Sequence, residues 1–439
     1  MSTMPLIPPP PPPTRPPARQ WAQRLLLPAG APADNLAAHT ARHGGLPSSP
    51  AATIIDQVDA GGLVGRGGAG FPTGRKMRTV AAGSGRAVVV GNGCEGEPGS
   101  GKDELLLLQS PHLVLDGLAL AARAVGADQV HLVLHAGSPA APVIAKAIAD
   151  RARARLDTVR IQQHAVPARY VASEESALVQ FLNGGPAKPM FTPPRPYERG
   201  VARRPTLLNN VETLANIALV ARHGPAWFRS VGDPDEPGTQ LLTVTGPGAP
   251  RRVIEVETGA SVESVLAATG TRYDDCQAVL VGGYFGTWLS APAAHRLPLT
   301  HDSLRAAGGA LGAGIVIGLP HGVCGLAETA RVAGYLAAHN AGQCGPCLNG
   351  LPSIATALQR LAYGPWDERM TPPLARWLTV VPGRGACRHP DGAIRLISSA
   401  LQVFAKDVDA HRAGFRCRGV GASTFLPVPH PATATGPWR

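Results

Sequence analysis

The stretch that most constrains this chain is Gly65-Arg66-Gly67-Gly68-Ala69-Gly70-Phe71-Pro72-Thr73-Gly74-Arg75-Lys76, a glycine-dense loop ending in two cations. Dense glycine lets successive backbone N–H groups turn inward with no side chain in the way, so such a loop can cradle a phosphate while the cations neutralise it. It is therefore a candidate phosphate site for a nucleotide or a flavin. Residues 65–70 also spell G-x-G-x-x-G, but that fingerprint needs a strand before it. Ile54-Ile55-Asp56-Gln57-Val58 followed by Gly61-Gly62 reads instead as a short helix, which argues against an ordinary dinucleotide-binding entry. The plain alternative is a flexible loop, since 52 glycines in 439 residues make chance clusters easy.

A chain of this length with 44% hydrophobic residues can form two to four domains with their own cores. The formal charge is +11, from 41 basic and 30 acidic residues, yet only 16% of residues are charged. Apart from Arg195, Arg199, Arg203 and Arg204 the cations are scattered, with no basic stripe interleaved with aromatics, so nucleic acid is not expected as a partner. No window approaches the roughly 18 uninterrupted apolar residues of a membrane span, and the run Gly314 to Leu319 is far too short. The start of the chain, with Pro8 through Pro13 in one run, lacks the apolar core of a signal peptide. A cytoplasmic protein with no direct membrane insertion is expected. Seven cysteines, an odd number, argue against a disulfide framework and leave metal, redox and buried roles open.

Five segments follow along the chain: a proline-rich disordered tail and entry (1–45), a large α/β region (46–230), a small α+β module (231–320), a helical bundle (321–412) and a disordered tail (413–439). Strands are expected at Val88-Val89-Val90 and Val130 to Leu134, with helices at Leu113 to Val125 and Pro142 to Arg155, the alternation of an α/β layer. In the module, strands are expected at Leu241 to Thr245, Val253 to Val256 and Ala278 to Val281. The bundle should hold helices at Cys324 to Leu336, Leu351 to Leu361, Ala375 to Val380 and Asp391 to His411. Two helix starts carry polar crowds able to bind a ligand: Ser173-Glu174-Glu175, and Asn209-Asn210-Val211-Glu212-Thr213, where Asn209 and Glu212 have capping-box spacing.

Cys344-Gly345-Pro346-Cys347 puts two thiols on one turn between helices, and Cys387 follows about one helical hairpin later. Such a set suits an iron-sulfur cluster or zinc, with His389 or His339 available as a further zinc ligand, and unligated core thiols are the plain alternative. Cys276 and Cys324 read as buried residues and Cys417 as a tail thiol.

Taken together, residues 50 to 412 resemble the NADH-oxidising flavoprotein subunit of respiratory complex I and its relatives in NAD-linked hydrogenases and formate dehydrogenases. The loop Gly62 to Gly74 matches that family's flavin loop, with Gly65, Arg66, Gly67, Gly68 and Phe71 in it and Lys76 at its flavin-contacting lysine. Asn92 to Gly99 matches its acidic segment, with Glu95 and Glu97 kept as the candidate catalytic carboxylates. Tyr170 with Glu174 and Glu175, and Asn209, Asn210 and Thr213, match the remaining flavin and nucleotide segments. The resemblance implies a Rossmann-like α/β domain for FMN and NAD(H), a ubiquitin-like, soluble-ligand-binding β-grasp module, and an iron-sulfur bundle holding a 4Fe-4S cluster.

It also implies electron transfer between NADH and a protein acceptor through FMN and that cluster. An acidic carrier such as a ferredoxin, or another redox subunit, would suit the basic balance. The departures bear on this. Ala341 stands at the first of the family's cluster cysteines, leaving Cys344, Cys347 and Cys387, with His389 the nearest substitute. Cys94 replaces an aspartate near the flavin. Thr79 and Arg195 stand at aromatic positions that would stack NADH, leaving Phe71. Two other readings stay open: an electron-transfer subunit that no longer uses NADH, and a non-enzymatic assembly scaffold.

Overall fold

The computed structural model describes residues 21–415, 417–421, 424–429 and 437–438. The Pro8–Pro13 run lies outside these residues. Strands β1 (Val88–Asn92), β2 (Gln129–His135), β3 (Ile161–Val166) and β4 (Thr206–Asn210) form a wholly parallel sheet in the order β3-β2-β1-β4. Both faces are covered, and the strands show it: Val88 and Val90 point into one buried cluster while Val89 points into another, the period-two alternation of a pleated strand. Helices Pro111–Val125 and Val211–Phe228 cover one face. They approach so closely that a Cβ on Gly117 would lie 2.0 Å from the Leu214 carbonyl oxygen, which explains a glycine in mid-helix.

The glycine loop is preceded by the helix Ala51–Ala60 and followed by the helix Thr73–Ala81, with β1 only after that. The loop therefore does not follow a strand, unlike an ordinary dinucleotide-binding entry.

Strands β5 (Thr239–Gly246), β6 (Ala249–Glu257), β7 (Cys276–Val281), β8 (Thr287–Ser290) and β9 (Ile315–Pro320) make a mixed sheet in the order β6-β5-β9-β7-β8. On β7 and β9, Ala278, Leu280, Ile315, Ile317 and Leu319 face the helical bundle, while Val279, Val281 and Val316 face the module's own core with the helix Val262–Ala268. The strands at 161–166, 206–210, 287–290 and 315–320 were not anticipated, because short apolar runs do not distinguish strand from helix and β4 ends in polar residues.

The bundle comprises Gly325–Ala338, Leu351–Tyr363, Thr371–Val380, His389–Val403 and Ala405–Arg412. The single helix expected from Asp391 to His411 breaks at Phe404, whose ring wedges against Gly325, where a Cβ would lie 2.1 Å from its Cζ. Segments expected to be disordered are partly packed among the described residues. Glu255 accepts the N–H groups of Arg24, Leu25 and Leu26, and beyond 413 Leu426 is buried and Pro427 accepts a hydrogen bond from the Tyr284 hydroxyl. No single helix among the described residues is long and apolar enough to cross a membrane.

Candidate active site

In the parallel sheet the chain moves from β1 to β2 and β3 in one direction and then returns to place β4 on β1's other side, so β1 and β4 flank a topological switch point. The crevice at the carboxyl ends of such strands is where open α/β sheets bind ligands. The parallel register sets Gly91 beside Asn209 and Asn92 beside Asn210, gathering three asparagines at this edge. The glycine loop lies against it. Thr73 and Gly65 N–H groups close the loop on the Leu63 and Phe71 carbonyls at 2.9 Å, and the Arg66 N–H donates to Thr213 Oγ1 at 2.8 Å.

Gly67 faces Asn210 Cβ at 3.4 Å from where its own Cβ would sit, and Gly68, at φ +102°, passes within 2.7 Å of the Gly312 oxygen by the same measure. The cradle is thus backbone on one side, and a side chain would fill it. The following helix starts with no side-chain cap and no acid in its first turn, leaving its N-terminal end open to an anion. Asn209 Nδ2 is buried with no partner, a donor left for something else. Lys76 Nζ reaches the Leu208 carbonyl at 2.5 Å; burial lowers its pKa against the pull of Glu175. The Arg66 side chain turns away from the cradle, donating to the Pro237 carbonyl at 3.2 Å, so its contribution to the loop is through its backbone.

The four carboxylates have different employments. Glu97 accepts the Tyr170 hydroxyl at 2.5 Å and the Tyr284 N–H at 3.1 and 3.2 Å, and burial raises its pKa to about 7 despite those hydrogen bonds. Glu95 accepts Ser100 Oγ and the Asp103 and Glu104 N–H groups, so it caps the helix Lys102–Gln109, and burial, then Asp103, raise its pKa. Glu174 is the N-cap of Glu175–Leu182, accepting the Ser176 and Ala177 N–H groups at 2.9 and 3.1 Å. Glu175 instead faces outward to Arg195 at 3.4 Å, so the arginine at a stacking position pairs with a nucleotide-segment acid.

Asn92 Oδ1 accepts the Cys94 N–H at 3.0 Å, and Asn92 Nδ2 donates to the Ser173 carbonyl at 2.9 Å, joining the acidic segment to the Tyr170–Ser173 turn. The Cys94 thiol is buried and kept protonated by burial and by Asp103. Phe71 is 41% exposed at the mouth of the loop.

The capping box expected at Asn209 and Glu212 is not formed. Asn210 caps the helix, accepting the Glu212 N–H at 2.9 Å, because the helix begins at Val211 and Asn210 is the extended residue immediately before it. Glu212 is instead buried against Lys102 Nζ at 2.8 Å and accepts the Leu241 N–H at 2.9 Å. Tyr284, whose backbone holds Glu97, was missed by sequence reasoning; the signal was Gly282-Gly283, both at positive φ, which let the chain turn tightly against that carboxylate.

Cys344, Cys347 and Cys387 come together. Cys347 is buried on the turn after Gly345, and burial, then the Cys344 and Cys387 thiols, raise its pKa. Three soft sulfur donors within mutual electrostatic reach fit an iron-sulfur cluster. His389 donates Nε2–H to the Leu336 carbonyl at 2.9 Å, which leaves Nδ1, buried and unpartnered, as the only nitrogen it can offer. Burial lowers its pKa to about 4, keeping the ring neutral. Its ring centroid is 5.7 Å from that of Tyr170, whose hydroxyl donates to Glu97.

A glycine cradle at a sheet switch point, buried carboxylates beside it and gathered thiols behind it define a redox protein of the flavin-and-cluster class. The comparisons agree with that class. Residues 58–219 match the family described as the Nuo51 FMN-binding domain, and residues 327–411 match the NADH-ubiquinone oxidoreductase-F iron-sulfur binding region. The F-subunit of the Salmonella typhimurium NADH-quinone oxidoreductase is 31% identical over 374 residues, covering 81% of this chain and 84% of that one. The F-subunit numbered 2 of the corresponding Rhizobium meliloti enzyme is 30% identical over 83% of this chain and 90% of its own. An NAD+-reducing [NiFe]-hydrogenase chain, solved in the H2-reduced state, is similar with a TM-score of 0.75 at 30% identity, covering 83% of this chain and 66% of that chain. The chain belongs to the family of the NADH-quinone oxidoreductase F-subunit.

Proposed function

We infer that this chain is an oxidoreductase that passes electrons from NADH to a protein acceptor through FMN and an iron-sulfur cluster. The observation that carries the reading is the convergence, at the β1/β4 switch point, of the glycine cradle with Lys76, Asn92, Asn209 and Thr213 beside the Glu97–Tyr170 pair, backed by three thiols. The cradle and the unpartnered Asn209 amide fit a phosphorylated flavin. Bound FMN supplies the exchange between a hydride pair and single electrons.

The residues supply the rest. Gly67 and Gly68 allow close backbone approach, Lys76 brings positive charge, and Phe71 offers an exposed ring for a nucleotide to stack on. Glu97, near neutrality, can hold or release a proton at its carboxyl oxygens beside the Tyr170 hydroxyl. Glu175, half-exposed, can receive ribose hydroxyls, which favours NADH over its 2′-phosphorylated form.

Cys344, Cys347 and Cys387 would hold the cluster, with His389 Nδ1 as the substitute fourth donor. On this reading the parallel sheet with its helices would be a Rossmann-like flavin domain, and the mixed sheet with the helix Val262–Ala268 a β-grasp module beside a cluster bundle. At the thiols, Arg384 and Arg388 are exposed near Cys387, and Leu348 is 58% exposed next to Cys347. Arg388 is paired with Asp391 at 2.8 Å, and the exposed Arg384 and Leu348 would suit an acidic carrier such as a ferredoxin.

Anaerobic titration of the flavin-loaded protein tests the reading. NADH should bleach the flavin and then the cluster absorbance, and NADPH should do so more slowly. Bleaching by neither would favour an electron-transfer subunit without a nucleotide site, consistent with Thr79 and Arg195.

A further inference from the structure

We propose that Cys324, His411 and Cys417 bind a zinc ion, a second metal site distinct from the thiols at 344, 347 and 387. The three donor atoms, Cys324 Sγ, a His411 ring nitrogen and Cys417 Sγ, all lie within 4.8 Å of one another, drawn from a strand-to-helix loop, the last helix and the segment after it. Cys324 Sγ is 3.9 Å from His411 Nε2. Tetrahedral zinc, with bonds of about 2.3 Å to sulfur and about 2.0–2.1 Å to nitrogen, needs ligand atoms roughly 3.5–3.8 Å apart, so only a small contraction is required.

The surroundings orient the donors as a metal site does. His411 Nδ1 donates to the Leu361 carbonyl at 3.2 Å, which fixes the tautomer and sets Nε2 toward the cysteines, where it accepts the Cys417 N–H in a long 3.4 Å contact that a metal would displace. Cys324 is the N-cap of Gly325–Ala338, and its Sγ accepts the Ala327 N–H at 3.4 Å, which fixes the sulfur at the start of that helix. Cys324 and His411 are both buried, and Asp407, half-buried one helical turn before His411 and close enough to act on Cys324, can complete the shell through a water. Two thiolates and a neutral imidazole balance the charge of a divalent ion. A disulfide between the two cysteines would use neither the histidine nor its tautomer.

The site has a consequence for the flavin crevice. It pins the chain at Cys417, after which Phe425 and Leu426 donate N–H groups to Glu328 and Pro427 accepts from the Tyr284 hydroxyl. Tyr284 is the residue whose backbone holds Glu97. The ion would therefore clamp the segment that backs the active-site carboxylate.

The test uses full-length protein stripped of metal and reloaded with zinc, then desalted and assayed by elemental analysis. The parent and the Cys344→Ser variant should both retain a zinc that Cys417→Ser and His411→Gln lose, with affinity reduced roughly tenfold or more. Cobalt in place of zinc should give intense visible bands and thiolate-to-metal charge transfer, both absent from Cys417→Ser. Without any variant, zinc should protect Cys324 and Cys417 from alkylation, read by peptide mass mapping. Equal zinc content in the parent and Cys417→Ser, loss confined to Cys344→Ser, failure of zinc to protect the two thiols, or a Cys324–Cys417 disulfide recovered in place of zinc would each overturn the site.

Discussion

Glu97 concentrates the chemistry of the site in one group. Burial holds its proton up to about pH 7, whereas in the unfolded chain the same carboxyl ionises near 4.5. Between those values the folded state binds more protons than the unfolded one, so stability falls as pH rises through that window. Replacing it by glutamine should remove that slope from urea unfolding midpoints measured across the same range. The variant should also abolish a limb of the NADH-oxidation profile with its midpoint near pH 7, checked by steady-state rates. A limb unchanged in Glu97→Gln would assign it to another group.

Adjacent acids on one element do different work. Glu174 satisfies two N–H groups at the start of Glu175–Leu182, whereas Glu175 makes one half-exposed contact with Arg195. Glu174→Ala should cost about 1 kcal/mol, the usual value of an N-cap. Glu175→Ala should change stability by less than about 0.5 kcal/mol, as for an exposed ion pair, while raising KM for NADH. Urea unfolding beside steady-state kinetics on the two variants separates the roles; a stability loss in Glu175→Ala equal to that in Glu174→Ala would merge them. The cap falls at Asn210 because the helix starts at Val211, which puts the Asn210 carboxamide one residue before the first turn and Asn209 one residue too far back.

Across the whole molecule, the parallel sheet and the mixed sheet are tied by one buried charge cluster. Lys102 Nζ meets Asp103 at 2.7 Å and Glu212 at 2.8 Å, and the other Glu212 oxygen takes the Leu241 N–H from β5. Burial disfavours the ammonium, but the two carboxylates outweigh it and hold it protonated. Lys102→Met would leave both carboxylates buried and unpaired, at a cost of about 3–5 kcal/mol. Because Asp103 also holds Asn210 at 2.6 Å, flavin retention should fall with stability, read as flavin content after gel filtration. Retention at the parent level in a folded Lys102→Met would show that the cluster does not support the cradle.

Local chemistry made much of the site legible in the sequence. The loop from Gly65 to Lys76, the acids at 95 and 97 and the thiols at 344 and 347 are each contiguous, and their residue types and spacing dictate what they can bind whatever surrounds them. The helices from 111 and 351 were legible for a similar reason, since one periodic face suffices to mark a helix. The tertiary structure decided which of those groups is used and how. It spent Glu95 and Glu174 on helix ends, sent the Arg66 guanidinium away from the cradle, and brought the Tyr284 amide to Glu97 across 187 residues. It also turned Cys324 and Cys417, one a plain buried residue and the other a tail thiol by sequence, toward His411. Side-chain identity fixes what a group can do, but burial and partners arriving from distant segments fix its protonation, its hydrogen bonds and the space left for a ligand.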